Sequence, residues 1–279
     1  MSPRIMGVLN ATPDSFSDAG ELRTLEDRLR RAEAMLAAGA DLLDIGGESN
    51  VTNRPAVSVA EELDRVAALI ERVVGELGAV VSVDTYKPAV AEAAVAAGAS
   101  IVNDISGLAD DELGRVCART GARLVLMHTP VAPKQQSLDD ARVHDVRGWL
   151  VERMAHAAGL GVAEEQLILD PGPDFGKTPA QTVAILRDLP ALVALGPPVL
   201  LAVSRKDFIG AIVERRPRER GAGTLAAVGF GVDAGAALLR VHDVAEVRDY
   251  LAVRAVLRGD VELAAGARVP EALRREPVG

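Results

Sequence analysis

The sequence predicts a (β/α)8 barrel, a TIM barrel in a single domain, from three observations. Short runs rich in Val, Ile and Leu alternate eight times with longer alanine-rich segments whose apolar residues recur at helical spacing. The 279 residues divide into about 35 per unit, enough for one strand, one helix and two loops. The turn after the first strand, NATPDSFSDAG, lacks the glycine fingerprint with which an open, dinucleotide-binding sheet would begin.

Taken in order, the first strand is RIMGVL (4–9) and leads to a helix over 24–38. LLDIG (42–46) precedes a helix over 57–77, VVSVD (80–84) one over 87–97, and SIVND (100–104) one over 110–119. RLVLM (123–127) leads to a helix over 140–159, and LILD (167–170) to one over 179–194. VLLAVS (199–204) is followed by helices over 206–214 and 221–235, and ALLRV (237–241) by the last, over 243–257. Strands this apolar belong to a parallel sheet covered by helices. The loops at 10–23, 47–56 and 128–139 exceed what a connection needs, and each leaves a carboxyl strand end, where barrels build their sites. ERRPRERG (214–221) reads as a solvated turn. The domain is expected over 1–258, with 259–279 as a C-terminal tail rich in Pro and Arg.

Composition narrows the function. With 31 Lys and Arg against 40 Asp and Glu the net charge is −9, which argues against bulk binding of nucleic acid or of an anionic membrane while leaving room for a local basic pocket. One cysteine, Cys117, allows no internal disulfide and no Cys-rich zinc site, and its setting on a helix reads as a buried thiol. The apolar stretches at 189–204 and 224–241 are broken by Pro, Gly or Asp, so no transmembrane helix is expected, and the cytoplasm is the expected compartment.

Polar residues mark every carboxyl strand end: Asn10, Glu48, Asp84, Asn103 with Asp104, His128, Asp170, Ser204 with Arg205 and Lys206, and Arg240 with His242. One such residue is commonly a helix cap; eight strands out of eight point to a site. GPDFGKT (172–178) resembles a phosphate-binding P-loop but has three residues between its glycines where four are required, and Asp174 would repel an anion. The four histidines show no metal-ligand spacing, although a hard cation shared with substrate phosphates needs few protein ligands.

The segments MGVLNATPDSFSDAG (6–20), DIGGES (44–49), VSVDT (81–85), VNDIS (102–106), LDPG (169–172), FGK (175–177), SRKDFIG (204–210) and RVHDV (240–244) resemble the dihydropteroate synthases, in that family's order, from residue 5 to about 257. Methyltetrahydrofolate methyltransferase domains share the general pattern but are not expected to carry both SRK and RVHD. The resemblance implies an enzyme that joins 6-hydroxymethyl-7,8-dihydropterin pyrophosphate to 4-aminobenzoate, with Mg2+, releasing pyrophosphate. A homodimer and recognition of sulfonamides are further family expectations.

By position in the motifs, Asp170 would take the pterin's N–H edge, with Asn103 beside it, Asp84 deeper in the barrel and Lys206 on the acceptor side. Ile105, Met127 and Phe175 would flank the ring. Arg240 and His242 would receive the pyrophosphate, Asn10 would hold Mg2+ with phosphate oxygens, and Ser204 would lie near the aminobenzoate carboxylate. The chain departs from the family in three loops. NVTNRPAVS follows GGES where a short Thr-Arg-Pro segment is usual, so that Asn53 replaces the threonine while Arg54 stays in order. Pro173 and Asp174 stand where Phe and Gly are usual, and MHTPVAPKQQ is unlike the family's loop. These changes crowd the aminobenzoate side, which leaves as the alternative a divergent pterin-binding paralogue with little or no synthase activity.

Overall fold

The computed structural model describes residues 2–11, 24–48, 56–132 and 145–274. Among them, eight parallel strands form one sheet in the order 6-5-4-3-2-1-8-7: β1 (Arg4–Asn10), β2 (Leu42–Gly46), β3 (Val81–Asp84), β4 (Ile101–Asp104), β5 (Arg123–Met127), β6 (Leu167–Asp170), β7 (Leu200–Leu201) and β8 (Leu238–Val241). A bridge between Leu169 and Val199 closes the ring, with the Leu169 N–H donating to the Pro198 carbonyl at 3.0 Å. Around it lie α1 (Leu25–Ala37), α2 (Val59–Leu77), α3 (Pro88–Ala96), α4 (Asp111–Thr120), α5 (Val146–Gly159), α6 (Pro179–Arg187), α7 (Leu189–Val193), α8 (Asp207–Val213), α9 (Gly221–Asp233) and α10 (Val244–Leu257). The predicted (β/α)8 barrel is the observed fold.

Strand periodicity separates two cores. Ile5, Leu43, Val81, Val102, Leu124, Leu167, Leu201 and Leu239 face outward into the layer between sheet and helices. Their neighbours Met6, Leu42, Ile101, Val125, Ile168, Leu200, Ala202 and Leu238 face inward and plug the amino-terminal half of the barrel. Two residues further along, the inward rows of β2, β4, β6 and β8 turn polar at Asp44, Asn103, Asp170 and Arg240, so the plug becomes the floor of a site. The helices begin where the sequence offers caps. Thr24 and Asp27 form a capping box before α1, the Ser58 hydroxyl accepts from the Glu61 N–H before α2, and Thr178 with Gln181 caps α6 ahead of Pro179.

Several expectations are corrected. The seventh strand is a two-residue ladder, not 199–204; its neighbour β6 stops at Asp170, before Pro171, which has no N–H to continue the pairing. The expected helix over 179–194 is broken at Asp188, since Pro190 starts a new short helix and could not donate within the old one. The expected helix over 140–159 begins at Val146, with 140–144 outside the described residues. Residues 214–219 are exposed as expected, whereas Arg220 is buried and bonded. Cys117 is buried as expected, and burial pushes its thiol up to about 12, so it carries no thiolate chemistry.

Candidate active site

At the centre of the floor, Arg240 on β8 donates from Nε to Asp44 Oδ2 at 2.6 Å and from Nη2 to Asp84 Oδ2 at 2.7 Å. Asn103 on β4 donates from Nδ2 to the same Asp44 oxygen at 3.0 Å. One guanidinium thus ties β8 to β2 and β3, and Asn103 adds β4. The two carboxylates hold Arg240 firmly in its charged form. Asp44 had no role in the sequence reading, and it is fully buried. Its signal was a carboxylate on the inward row of an otherwise apolar strand, where only a paired charge survives.

Asp170 on β6 lies on the same inward side, buried, with Oδ1 accepting from the Gly172 N–H at 2.7 Å. Burial raises its pKa above the ordinary carboxylate range, opposed by the Gly172 N–H and by Lys206. Gly172 has φ +62°, and a Cβ there would fall 2.1 Å from the His128 carbonyl oxygen, so this turn admits only glycine. The turn delivers Lys177, another residue without a role in the sequence reading. Its ammonium donates to the carbonyls of His128 (3.0 Å), Gly172 (2.7 Å) and Phe175 (3.1 Å), while burial pulls its pKa down to about 7. Lys177 is therefore the peg that holds the loops after β5 and β6 together.

Lys206, just after β7, places Nζ 4.3 Å from the centroid of the Phe175 ring. Burial lowers its pKa, and Asp174 followed by Asp170 oppose the shift. The loop carrying it is held from behind by Arg220, which donates to the carbonyls of Arg205 (2.9 Å) and Lys206 (3.0 Å) and to Asp207 Oδ1 (2.9 Å). Gly210 makes space for that guanidinium, since a Cβ would lie 2.3 Å from its Nη2. Arg205 itself pairs with Asp243.

His242 is half-buried, and burial, reinforced by Arg240, takes its pKa down to about 4, so the ring is neutral at neutral pH. Its backbone N–H donates to Ser204 Oγ at 3.3 Å, and Nδ1 lies 3.0 Å from the same oxygen. With the ring neutral, one hydrogen bond joins Nδ1 to the Ser204 hydroxyl, in the direction the imidazole tautomer sets, and it fixes the orientation of the ring. Asn10, at the end of β1, continues the inward row of Met6, at the barrel rim. Ile105 and Met127 are buried on the inward rows of the fourth and fifth units.

Three strand-end residues from the sequence reading do not join the site. Asp104 faces outward and accepts from the N–H groups of Ser106 (2.7 Å) and Leu108 (2.6 Å), shaping its own turn. His128 is buried against Trp149, ring centroids 4.9 Å apart. Glu48 belongs to an ion cluster in which Lys87 Nζ reaches Glu48 and Glu62 at 2.6 Å each and the Val57 carbonyl at 2.7 Å. Asn53 and Arg54 lie outside the described residues.

A closed barrel whose polar floor pairs acids with a cation, and whose rim adds a second cation and a neutral imidazole, suits a planar ligand bearing both an N–H edge and an anionic tail. Comparison with known proteins agrees. The profile of the pterin binding enzyme family matches residues 6–242, and the chain belongs to that family. Within it, the dihydropteroate synthase of Bacillus subtilis is 44% identical over 244 residues, covering 87% of this chain and 84% of that protein. The dihydropteroate synthase of Xanthomonas albilineans solved with 4-aminobenzoic acid superposes with a TM-score of 0.86 at 44% identity, over 92% of this chain and 93% of that one. The same enzyme in complex with 7,8-dihydropteroate gives 0.83 at 43% identity, over 92% and 94%.

Proposed function

We infer that the protein condenses 6-hydroxymethyl-7,8-dihydropterin pyrophosphate with 4-aminobenzoate to give 7,8-dihydropteroate and pyrophosphate, a transferase reaction of folate biosynthesis. The observation that carries the reading is the gathering of six residues from five strand ends, Asp84, Asn103, Asp170, Lys206, Arg240 and His242, at the carboxyl end of the barrel. The pterin's N–H edge meets Asp170 and Asn103, its acceptor side meets Lys206, and Ile105, Met127 and Phe175 flank the ring. The bond from the pterin methylene carbon to the pyrophosphate oxygen breaks, and its electron pair leaves with the oxygen. Positive charge developing on the pterin is favoured by Asp84 and Asp170. The leaving anion is received by the Arg240 guanidinium and the His242 ring, and the aryl amine then attacks the methylene carbon and loses a proton. Ser204, which orients the His242 ring, lies near the aminobenzoate carboxylate, and Arg54 and Asn53 contribute on the same side.

Among the described residues no group of three His, Cys, Asp or Glu side chains could hold a metal alone. The amide oxygen of Asn10 at the rim fits a hard cation that draws its other ligands from substrate phosphates. Mg2+ held there would neutralise charge on the pyrophosphate. Residues 1–258 serve as the pterin-binding domain and 259–279 as an appended tail. The assembly is a homodimer, a reading supported by the exposed Ile212, Val213 and Phe230 on α8 and α9. No helix among the described residues is long and apolar enough to cross a membrane, and the cytoplasm is the proposed compartment. Pyrophosphate release from the purified protein tests the function. It should require both substrates and Mg2+; binding of the pterin substrate without turnover would identify a non-catalytic paralogue.

A further inference from the structure

We propose that Asp174 is a positioning residue, which fastens the loop after β6 to the start of α8 and so holds Lys206 over Phe175 to meet the pterin. The inference rests on the assignment of Lys206 to the pterin given above. Asp174 Oδ2 accepts from the backbone N–H groups of Asp207 (2.6 Å) and Phe208 (3.2 Å). Its Oδ1 accepts from the buried Thr182 hydroxyl at 2.8 Å, and its own N–H donates to that hydroxyl oxygen at 3.0 Å. The carboxylate is thereby fixed to α6 at one end and to α8 at the other.

Two features show that this tie serves Lys206. The first is adjacency, because Asp174 precedes Phe175 and Asp207 follows Lys206. The Asp174–Asp207 bond and the Phe175–Lys206 contact are successive rungs between the same two loops. The second is that α8 has no cap of its own. Lys206 at its N-cap makes no side-chain capping bond, and the Asp207 carboxylate is taken by Arg220. Its first N–H groups are satisfied from across the site by Asp174.

The backbone gives a third reason. Asp174 has φ +62°, in the left-handed region, where glycine is free of strain and an aspartate needs local bonds to hold it. Those bonds are the three its carboxylate accepts and the one its N–H donates. Its charge also acts on Lys206, where it is the largest influence opposing burial and favouring the ammonium. Asp170, Asp207 and Arg240 also act on Lys206, and Lys177 and His242 are coupled to it by charge as well.

The test compares Asp174→Gly, Asp174→Asn and Lys206→Gln in the full chain. It measures affinity for 6-hydroxymethyl-7,8-dihydropterin pyrophosphate by calorimetry across pH, with thermal unfolding in parallel. Asp174→Gly should weaken binding on the order of tenfold, since the ammonium loses its fixed placement. Asp174→Asn, which keeps an acceptor for the helix N–H groups, should recover most of that loss. In both variants the alkaline limit of binding should move to lower pH, because a negative charge near Lys206 is gone. A lowered melting temperature with wild-type affinity and an unmoved alkaline limit would overturn the proposal, and Asp174→Asn decides it alone should the glycine variant not fold. Wild-type affinity in Lys206→Gln would instead overturn the assignment of Lys206 to the pterin. Weak binding in Lys206→Gln beside intact binding in both Asp174 variants would sink the Asp174 inference alone.

Discussion

Replacing Arg240 with alanine should lower turnover about a hundredfold, because a well-placed donor to charge that develops in the transition state is worth about 3 kcal/mol. Arg240 has two tasks in the structure. It faces the site where the leaving pyrophosphate is proposed to sit, and it neutralises Asp44 and Asp84 through bonds of 2.6 and 2.7 Å. The alanine variant removes both functions, so turnover alone does not separate them. Hydroxymethyldihydropterin, which has no phosphates, does. If Arg240 acts on the leaving group, affinity for this alcohol should change much less than turnover. Equal losses for the alcohol and the pyrophosphate would assign Arg240 to the floor alone.

Asp44→Ala should produce the largest loss of stability. Removing one partner from a buried ion cluster costs about 3–5 kcal/mol, since the remaining charges stay desolvated. In a chain this long that corresponds to a fall in melting temperature on the order of 10 °C. Asn103 would also lose the acceptor for its Nδ2 at 3.0 Å, so pterin binding should weaken in the protein that remains folded. Asp44→Asn keeps an acceptor and should lie between. Calorimetric unfolding of the two variants decides the matter, and a melting temperature within a degree or two of the wild type in Asp44→Ala would refute a structural role for the cluster.

How much of this was legible beforehand depended on the kind of signal. The barrel was readable because β-branched runs and alanine-rich helices repeat through the chain. That Asp84, Asn103, Asp170, Lys206, Arg240 and His242 come together at the carboxyl end of the barrel was readable because the motifs containing them end strands. Asp44 lies in mid-strand, where no strand-end motif marks it and only the alternation of the strand places it inward. Asp104 and His128 were misplaced for the converse reason. Each sits one step out of phase with the inward row, and a strand that shifts by one residue turns its side chain to the other face. Lys177 and Arg220 act through backbone carbonyls far away in sequence, as Lys177 does with His128, and no local pattern announces such partners. Asp174 looked like a defect in a phosphate loop, and only its bonds to Asp207 and Phe208 reveal it as a cap.

The narrow closure of the barrel has a dynamic consequence. Between β6 and β7 the ring depends on the bridge from Leu169 to Val199, whereas β1 and β2 pair over five residues. Asp170 and Lys206 lie on opposite sides of this seam, so a pterin held by both would act as a cross-brace. In the empty protein the Leu169 amide should exchange its hydrogen for deuterium sooner than amides of the β1–β2 ladder, through brief local opening that leaves the rest of the ring intact. Saturation with the pterin substrate should slow that exchange. The floor of the site would then act as the hoop that draws the last two staves of the barrel together.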